Sequence, residues 1–568
     1  MKTTRREFLR TAAGVAGCLA LGGSELSREA GATNELLPSA AVPHEAGGKV
    51  ARILTIHGVP TLEANGAPFL LIGAQCDIWR STRQDEKTVA FFDGYQKMNA
   101  TAVSVGIPWS KIETAEGHYD FRFLDWFIEQ ARKRSLKLIV NLFNSNVCGK
   151  IREAAGSPFD PGYTPLYILA APEDYQRMVL PGPWKYDWGG PPMCPNDPRT
   201  LERERRLCVK VAKHLKQTDT HGSVIMLQID NEFYYSQWVG DRPRDEKAVR
   251  CRCRFCDEKW KGGAWKDGED FMFRSFADYV RVLTDAITAV HRLPLYINSP
   301  WWPPHVIPIF LDRCPNLALV GIDGVFAPNE PNMLSRSQLG RNLPFAAENP
   351  TENPQTRYNL DVLPYYSLIG QQGIGNLLWE CGPPQTVVED PQARQRYGAA
   401  LYPIRWAQTP IAQTRGTENL VGWYVIRDIA PDVTTDIFGN FVPAKKDATI
   451  VLKNWLFVRE GTHSRMVEAD RFAVTLGDLR INVSDSAAGI IARIAPTEVV
   501  LAIPKGRVAV EGLRRFRATE GRFERDRWRS EHECAVRTEG QATVFEIHEP
   551  KVILLRYSRV ASDSSQRP

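Results

Sequence analysis

Three side chains able to do chemistry follow one another at Asp230, Asn231 and Glu232. They close the stretch VIMLQIDNEF, whose first six residues are mostly apolar and read as a buried parallel strand. A carboxylate and an amide at the tip of such a strand are held in one direction by the core beneath them. A single carboxylate can give or take a proton. Cleavage of an acetal C–O bond between sugars needs a second one on the other side of the reacting carbon. Glu348, at the end of the apolar run in PFAAENP, is the preferred partner. Glu352 in NPTENP and Glu380 in LLWECG are rivals for that place. The plain alternative for Glu232 is a surface carboxylate at a strand end.

Sulfur forms the second cluster. The chain has 11 cysteines, most of them scattered, but CRCRFC places Cys251, Cys253 and Cys256 in a C-x-C-x-x-C pattern. Cys194, in PPMCPNDPRT, is the candidate for a fourth ligand. Four thiolates suit a tetrahedral Zn²⁺ with no open position, hence a structural ion. Disulfides or free thiols are the alternatives. A zinc-dependent hydrolase would need an open metal site, and the chain has no H-E-x-x-H. Trp109, Trp301 and Trp379 also fall at predicted strand ends, where a ring would either stack on a sugar or pack the rim. Asn298 and Asp323 end two further runs and are weaker polar candidates.

The elements that must position these groups are legible as eight apolar runs: PFLLIGAQCDIW, NATAVSVGIPW, SLKLIVNLFN, SVIMLQIDNEF, LPLYINSPWW, LALVGIDGVF, LPFAAENP and GIGNLLWECG. Amphipathic stretches such as FRFLDWFIEQARKRS lie between them, with Phe123, Leu124, Phe127 and Ala131 on one helical face. Eight strand–helix alternations predict a (β/α)8 barrel over 67–415, with its chemistry at the C-terminal strand tips. From 418 to 560 the pattern changes to short runs alternating apolar and polar residues, which predicts a C-terminal antiparallel β-sandwich. The last residues, SDSSQRP, read as a disordered tail.

Residues 1–32 resemble a twin-arginine signal peptide. Arg5-Arg6 precede Phe8-Leu9 and a weakly apolar segment, and AGA at 30–32 would suit a signal peptidase. Cys18 in VAGC could instead be a lipid anchor. Either reading implies export to the periplasm or beyond. Residues 33–66 read as an N-terminal extension. No other segment approaches the ~18 apolar residues of a membrane helix. The 568 residues carry a net charge of +5 without a basic block, which argues against a nucleic-acid partner. Aromatic residues make up 10% and include 15 Trp, a composition that leans towards sugars.

LQIDNEF is similar to the fourth-strand motif of retaining (β/α)8 glycosidases, in which Asn precedes the acid/base Glu. IPWSKIETAEGHYDFRFLDWFIEQARKRSLKLIV resembles the signature between the second and third strands in β-galactosidases of glycoside hydrolase families 42 and 35. The resemblance covers about residues 67–390. It implies Glu232 as acid/base, Asn231 as partner of the sugar 2-hydroxyl, Glu348 as nucleophile, and Trp379 as the preferred stacking ring. It also implies a structural zinc on Cys194, Cys251, Cys253 and Cys256. The family's sugar-holding Arg before the first Cys is not matched, because Gly190 stands four residues before Cys194. The expectation is an exported retaining exo-β-glycosidase acting on a small β-glycoside or oligosaccharide, with terminal β-galactose as the leading substrate. Glucosides, xylosides or arabinosides remain open, as do a non-catalytic carbohydrate-binding protein on a hydrolase scaffold and a homo-oligomer. Apart from the structural zinc, no cofactor is needed for the chemistry.

Overall fold

The computed structural model describes residues 50–76, 84–144, 163–181, 191–233, 249–300, 305–323, 341–342, 345–350, 366, 369–370, 373–379, 388–426, 433–435, 441–443, 455–460, 463–468, 473–486 and 488–558. The expected signal peptide and Cys18 lie outside these residues.

The first three strands, β1 (Arg52–Ile56), β2 (Val59–Ala64) and β3 (Ala67–Pro68), form an antiparallel meander. Its turns are His57-Gly58 and Asn65-Gly66, pairs in which both residues have positive φ, as a two-residue hairpin of the type I′ kind requires. The stretch that reads as an extension is therefore partly structural. Val59, Leu62 and Ala64 share an apolar cluster with inward residues of the barrel, among them Leu71, Ile139 and Phe345. The meander closes the barrel's N-terminal end.

A closed barrel of eight strands follows. In chain order these are β4 (Leu71–Gln75), β5 (Ala102–Pro108), β8 (Lys137–Phe143), β9 (Val224–Ile229), β10 (Leu295–Pro300), β11 (Leu319–Asp323), β12 (Phe345–Pro350) and β13 (Gly375–Trp379). β6 (Glu113–Ala115) and β7 (His118–Tyr119) make a small ribbon after β5. Each barrel strand falls within one of the eight apolar runs, and all neighbours pair in parallel. The strands are apolar throughout because both faces are covered. On β5, Val103, Val105 and Ile107 face the surrounding helices, while Ala102 joins the interior.

The described helices are α1 (Glu86–Lys97), α2 (Trp109–Ile112), α3 (Arg122–Lys133), α4 (Leu166–Leu169), α5 (Pro198–Thr218), α6 (Arg254–Lys261), α7 (Gly268–Thr288), α8 (Val306–Arg313) and α9 (Pro391–Thr414). α5 and α9 start alike, with Asp197-Pro198 and Asp390-Pro391. The Asp side chain accepts two first-turn N–H groups, and Pro sits where no N–H is needed. Among the described residues no helix is long and apolar enough to cross a membrane.

The remaining strands are β14 (Leu420–Ile426), β15 (Val433–Thr435), β16 (Phe441–Pro443), β17 (Trp455–Glu460), β18 (His463–Glu468), β19 (Ala473–Leu476), β20 (Leu479–Ser486), β21 (Ala488–Ala495), β22 (Glu498–Ile503), β23 (Gly506–Glu511), β24 (Arg514–Glu524), β25 (Arg527–Glu533), β26 (Arg537–Glu539), β27 (Ala542–Ile547) and β28 (Lys551–Ser558). They form an eight-stranded antiparallel sheet ordered β18-β17-β14-β21-β22-β28-β24-β25, a five-stranded one ordered β19-β20-β23-β27-β26, and the ribbon β15-β16. Burial in the larger sheet departs from simple alternation. In β22 every residue after Glu498 is buried. The cause is cover on both faces: Val500 and Ala502 belong to the cluster that includes Leu401 and Ile404 of α9, while Val499, Leu501 and Ile503 pack with Ile481 and Val508 of the second sheet.

Candidate active site

Period-two alternation carries the barrel interior from apolar to polar as it rises. Ile139, Met226 and Tyr296 lie in the interior cluster. Two residues further along the same strands stand Asn141, Gln228 and Asn298, each almost wholly buried. A polar side chain in such a place must find partners, and here they converge on one atom. Asn231 Oδ1 accepts from Asn141 Nδ2 at 3.2 Å, Gln228 Nε2 at 3.0 Å and Asn298 Nδ2 at 3.2 Å. Tyr296 holds Gln228 in turn, its hydroxyl donating to Gln228 Oε1 at 2.6 Å. With three donors on its oxygen, the Asn231 amide is oriented without ambiguity. Its nitrogen points the other way and donates to Glu232 Oε2 at 3.3 Å.

The backbone here is strained. Asp230 has φ +59° and Glu232 φ +46°, a left-handed conformation costing non-glycine residues about 1 kcal/mol or more each. Two contacts hold the turn: Asn231 N donates to Asp230 Oδ1 at 2.9 Å, and Glu232 N to Asn298 Oδ1 at 3.0 Å. Strain flanking Asn231 turns consecutive side chains off the strand axis at its tip.

Strand register sets the level of the second carboxylate. Gln228, one residue before the end of β9, pairs with Tyr296 of β10, which runs on to Pro300. Pro300 pairs with Asp323, and Asp323 with Glu348. Glu348 thus lies at the C-terminal end of β12, and Glu232 just past the C-terminal end of β9. The side chains of Glu348, Asp323 and Trp379, and all of Trp301, Glu352 and Glu380, lie outside the described residues.

Two expected sugar contacts are corrected. Trp109 has no exposed surface, and a ring with none cannot offer a face to a ligand. Its indole N–H donates to Glu113 Oε2 at 2.7 Å, and Glu113 also accepts from Gly117 N at 2.8 Å and pairs with Arg203 of α5. The Trp, Glu and Gly of that signature are a buried hub joining the β6–β7 ribbon to α5. Asn298 is likewise wholly buried, and its amide is engaged with Asn231, Gln228 and Glu232. It positions the site rather than reaching into it. The partners Asn141 and Gln228 carried a signal in the sequence, each being a lone amide inside an apolar strand run. Tyr296 carried none.

Below α5 and α6 the four sulfurs meet. Cys194, Cys251, Cys253 and Cys256 are all buried, with Sγ atoms within 4.8 Å of one another. Cys194 Sγ lies 3.4 Å from those of Cys256 and Cys253. These separations are far longer than the ~2.0 Å of a disulfide and close to the ~3.8 Å between thiolates around one tetrahedral zinc. N–H groups point at the sulfurs, as charged thiolates require. Val179 N donates to Cys251, Asn196 N to Cys194, and Asn196 Nδ2 to Cys256 at 3.2 Å. The donor set fits a structural zinc.

An eight-stranded parallel barrel thus presents an Asn-Glu pair rigidly at the tip of one strand. Residues 79–246 match the model of glycoside hydrolase family 42, described as beta-galactosidase. A search of curated proteins finds no match. Among solved structures, the beta-galactosidase from Rahnella sp. R3 is similar at 13% identity and a TM-score of 0.40, with 61% of this chain and 57% of that one covered. The beta-galactosidase from Bacillus circulans sp. alkalophilus is similar at 10% identity and a TM-score of 0.44, covering 89% and 100%. The beta-mannanase from the blue mussel Mytilus edulis is similar at 12% identity and a TM-score of 0.38, covering 62% and 96%. The chain thus spans little more than half the length of the Rahnella enzyme.

Proposed function

We propose that the protein is an exported retaining exo-β-glycosidase that removes terminal β-linked galactose by double displacement. The observation that carries the reading is the hydrogen-bonded presentation of Asn231 and Glu232 at the tip of β9. Glu232 protonates the glycosidic oxygen while Glu348 attacks the anomeric carbon and the aglycone leaves. Glu232 then takes a proton from water, which attacks the same carbon, releases the sugar and restores Glu348. Asn231, its oxygen engaged inside the barrel, directs its nitrogen to the mouth, where it donates to Glu232 Oε2 and would donate to the sugar 2-hydroxyl. The two C-terminal sheets, packed over a shared core, are a β-sandwich that supports the barrel through α9.

A panel of 4-nitrophenyl glycosides tests the substrate. β-Galactoside should be hydrolysed at least about 10-fold faster in kcat/KM than β-glucoside, β-xyloside or α-arabinoside, a difference of about 1.4 kcal/mol in transition-state binding. A better substrate among the others would replace galactose in this assignment. Binding without turnover would make the protein a carbohydrate-binding module.

Zinc held by Cys194, Cys251, Cys253 and Cys256 supports this reading as a structural clamp, joining the segment before α5 to α6. With all four positions filled by thiolate it takes no part in the chemistry. About one zinc per chain should copurify. Cys253→Ser should lose it and lower Tm by roughly 5 °C or more, while kcat of the folded fraction stays within about twofold. A metal-free preparation of unchanged Tm, or a mapped disulfide between any two of the four, would refute the clamp.

A further inference from the structure

Behind the strand tip lies a second pair of carboxylates that the reaction does not use. Glu204 on α5 is 0% exposed and Asp230 1%. The hydroxyl of Tyr279 on α7 touches both: it contacts Glu204 Oε2 closely and lies 3.2 Å from Asp230 Oδ2. A phenol has one hydrogen to donate. For both contacts to be hydrogen bonds, one of the two carboxyls must bring a proton of its own. Cys208, one turn along α5, faces the same pair. Burial and then the charges of Glu204 and Asp230 push its thiol up.

Asp230 is also the left-handed residue that turns the chain off β9, and its other oxygen accepts from Asn231 N. Its carboxylate therefore links the helix layer to the residue that sets the direction of Asn231 and Glu232. Two helices on the outside of the barrel determine where that carboxylate sits.

We propose that Glu204 is a positioning residue which, through Tyr279, fixes Asp230 and so aims the Glu232 carboxyl at the leaving oxygen. This rests on Glu232 being the acid. A misaimed acid hurts only substrates that need protonation. A loosened fold hurts all substrates alike.

The test compares kcat/KM on an alkyl β-galactoside and on 2,4-dinitrophenyl β-galactoside. Tyr279→Phe, which removes one oxygen and keeps the ring packed, and Glu204→Ala should each lose roughly 30- to 100-fold on the alkyl substrate, the scale on which a 1 Å misplacement acts. On the dinitrophenyl substrate each should lose less than about threefold, because that leaving group barely needs a proton. Glu204→Gln should recover most of the alkyl activity, since its amide donates to the tyrosine oxygen and leaves the tyrosine hydrogen for Asp230. Equal losses on both substrates, or a change in Tm alone, would overturn the proposal, and Tyr279→Phe decides the matter if Glu204→Ala does not fold. Glu232→Gln measured alongside separates the two readings. If it loses equally on both substrates, the acid assignment itself has failed. If it discriminates between them and Tyr279→Phe does not, only the role of Glu204 falls.

Discussion

Glu232→Gln is expected to lower kcat/KM for an alkyl β-galactoside by about 10³-fold, within the range that a positioned general acid supplies, and for 2,4-dinitrophenyl β-galactoside by less than about 10-fold. Gln is nearly isosteric with Glu, so the contact between Asn231 Nδ2 and the residue-232 oxygen and the backbone bond from residue 232 to Asn298 both survive. The change removes only the ionisable proton. A dinitrophenolate departs without help, so its C–O bond still breaks at nearly the normal rate. The second half of the cycle then lacks its base, and the glycosyl-enzyme should accumulate with kcat and KM falling together. Equal losses on both substrates would remove Glu232 from the acid role.

Glu348→Gly is expected to lower hydrolysis by about 10⁴-fold or more, the scale on which loss of a covalent nucleophile acts. It should leave a space beside the anomeric carbon at the C-terminal end of β12, where Glu348 stands. Azide or formate entering that space should attack an activated β-galactoside and restore turnover. With azide the product should be the α-galactosyl azide, of inverted configuration, because only one displacement has taken place. A 2-fluoro sugar should label Glu348 in the unaltered protein, since fluorine destabilises the oxocarbenium-like transition state and slows breakdown of the intermediate. Label on Glu352 or Glu380 would move the nucleophile. Absence of label with inverted product in the unaltered protein would mean that water attacks directly, with the carboxyls ~6.5–9.5 Å apart instead of about 5–5.5 Å.

Much of this site could be read from residue order because it lies on strands. An apolar run with period two has a definite top, so Asp230, Asn231 and Glu232 had to emerge at the end of β9. Asn141 and Gln228, which the sequence reading passed over, carried the same kind of signal, as polar residues where only paired ones are tolerated. Glu204 illustrates the limit. In the charged stretch LERERRLC, the phase of α5 puts Arg203 and Glu204 on the buried stripe with Leu207 and Cys208, while Glu202, Arg205 and Arg206 stay outside it. Periodicity can therefore tell that Glu204 is buried. It cannot tell that Tyr279, 75 residues away, meets it.

Trp109 failed for a related reason: being at a strand end is a one-dimensional fact, whereas facing a ligand is a three-dimensional one. Its ring turns inward because Glu113 and Arg203 form a buried ion pair with which the indole N–H can bond. The meander before β4 was likewise unreadable as a plug, because nothing local distinguishes a hairpin over a barrel floor from one in solvent. By itself the sequence determined the barrel, the order of its strands and the tip that carries Asp230, Asn231 and Glu232, all consequences of local periodicity and of the short range over which a strand fixes its side chains. The convergence of Asn141, Gln228 and Asn298 on Asn231 and the Glu204–Tyr279–Asp230 chain were decided only by the tertiary structure, which also brings Cys194 to the three sulfurs of CRCRFC. Each depends on the parallel pairing of β8, β9 and β10 and the packing of the segments that follow them, which brings residues tens of positions apart to within a hydrogen bond of one another.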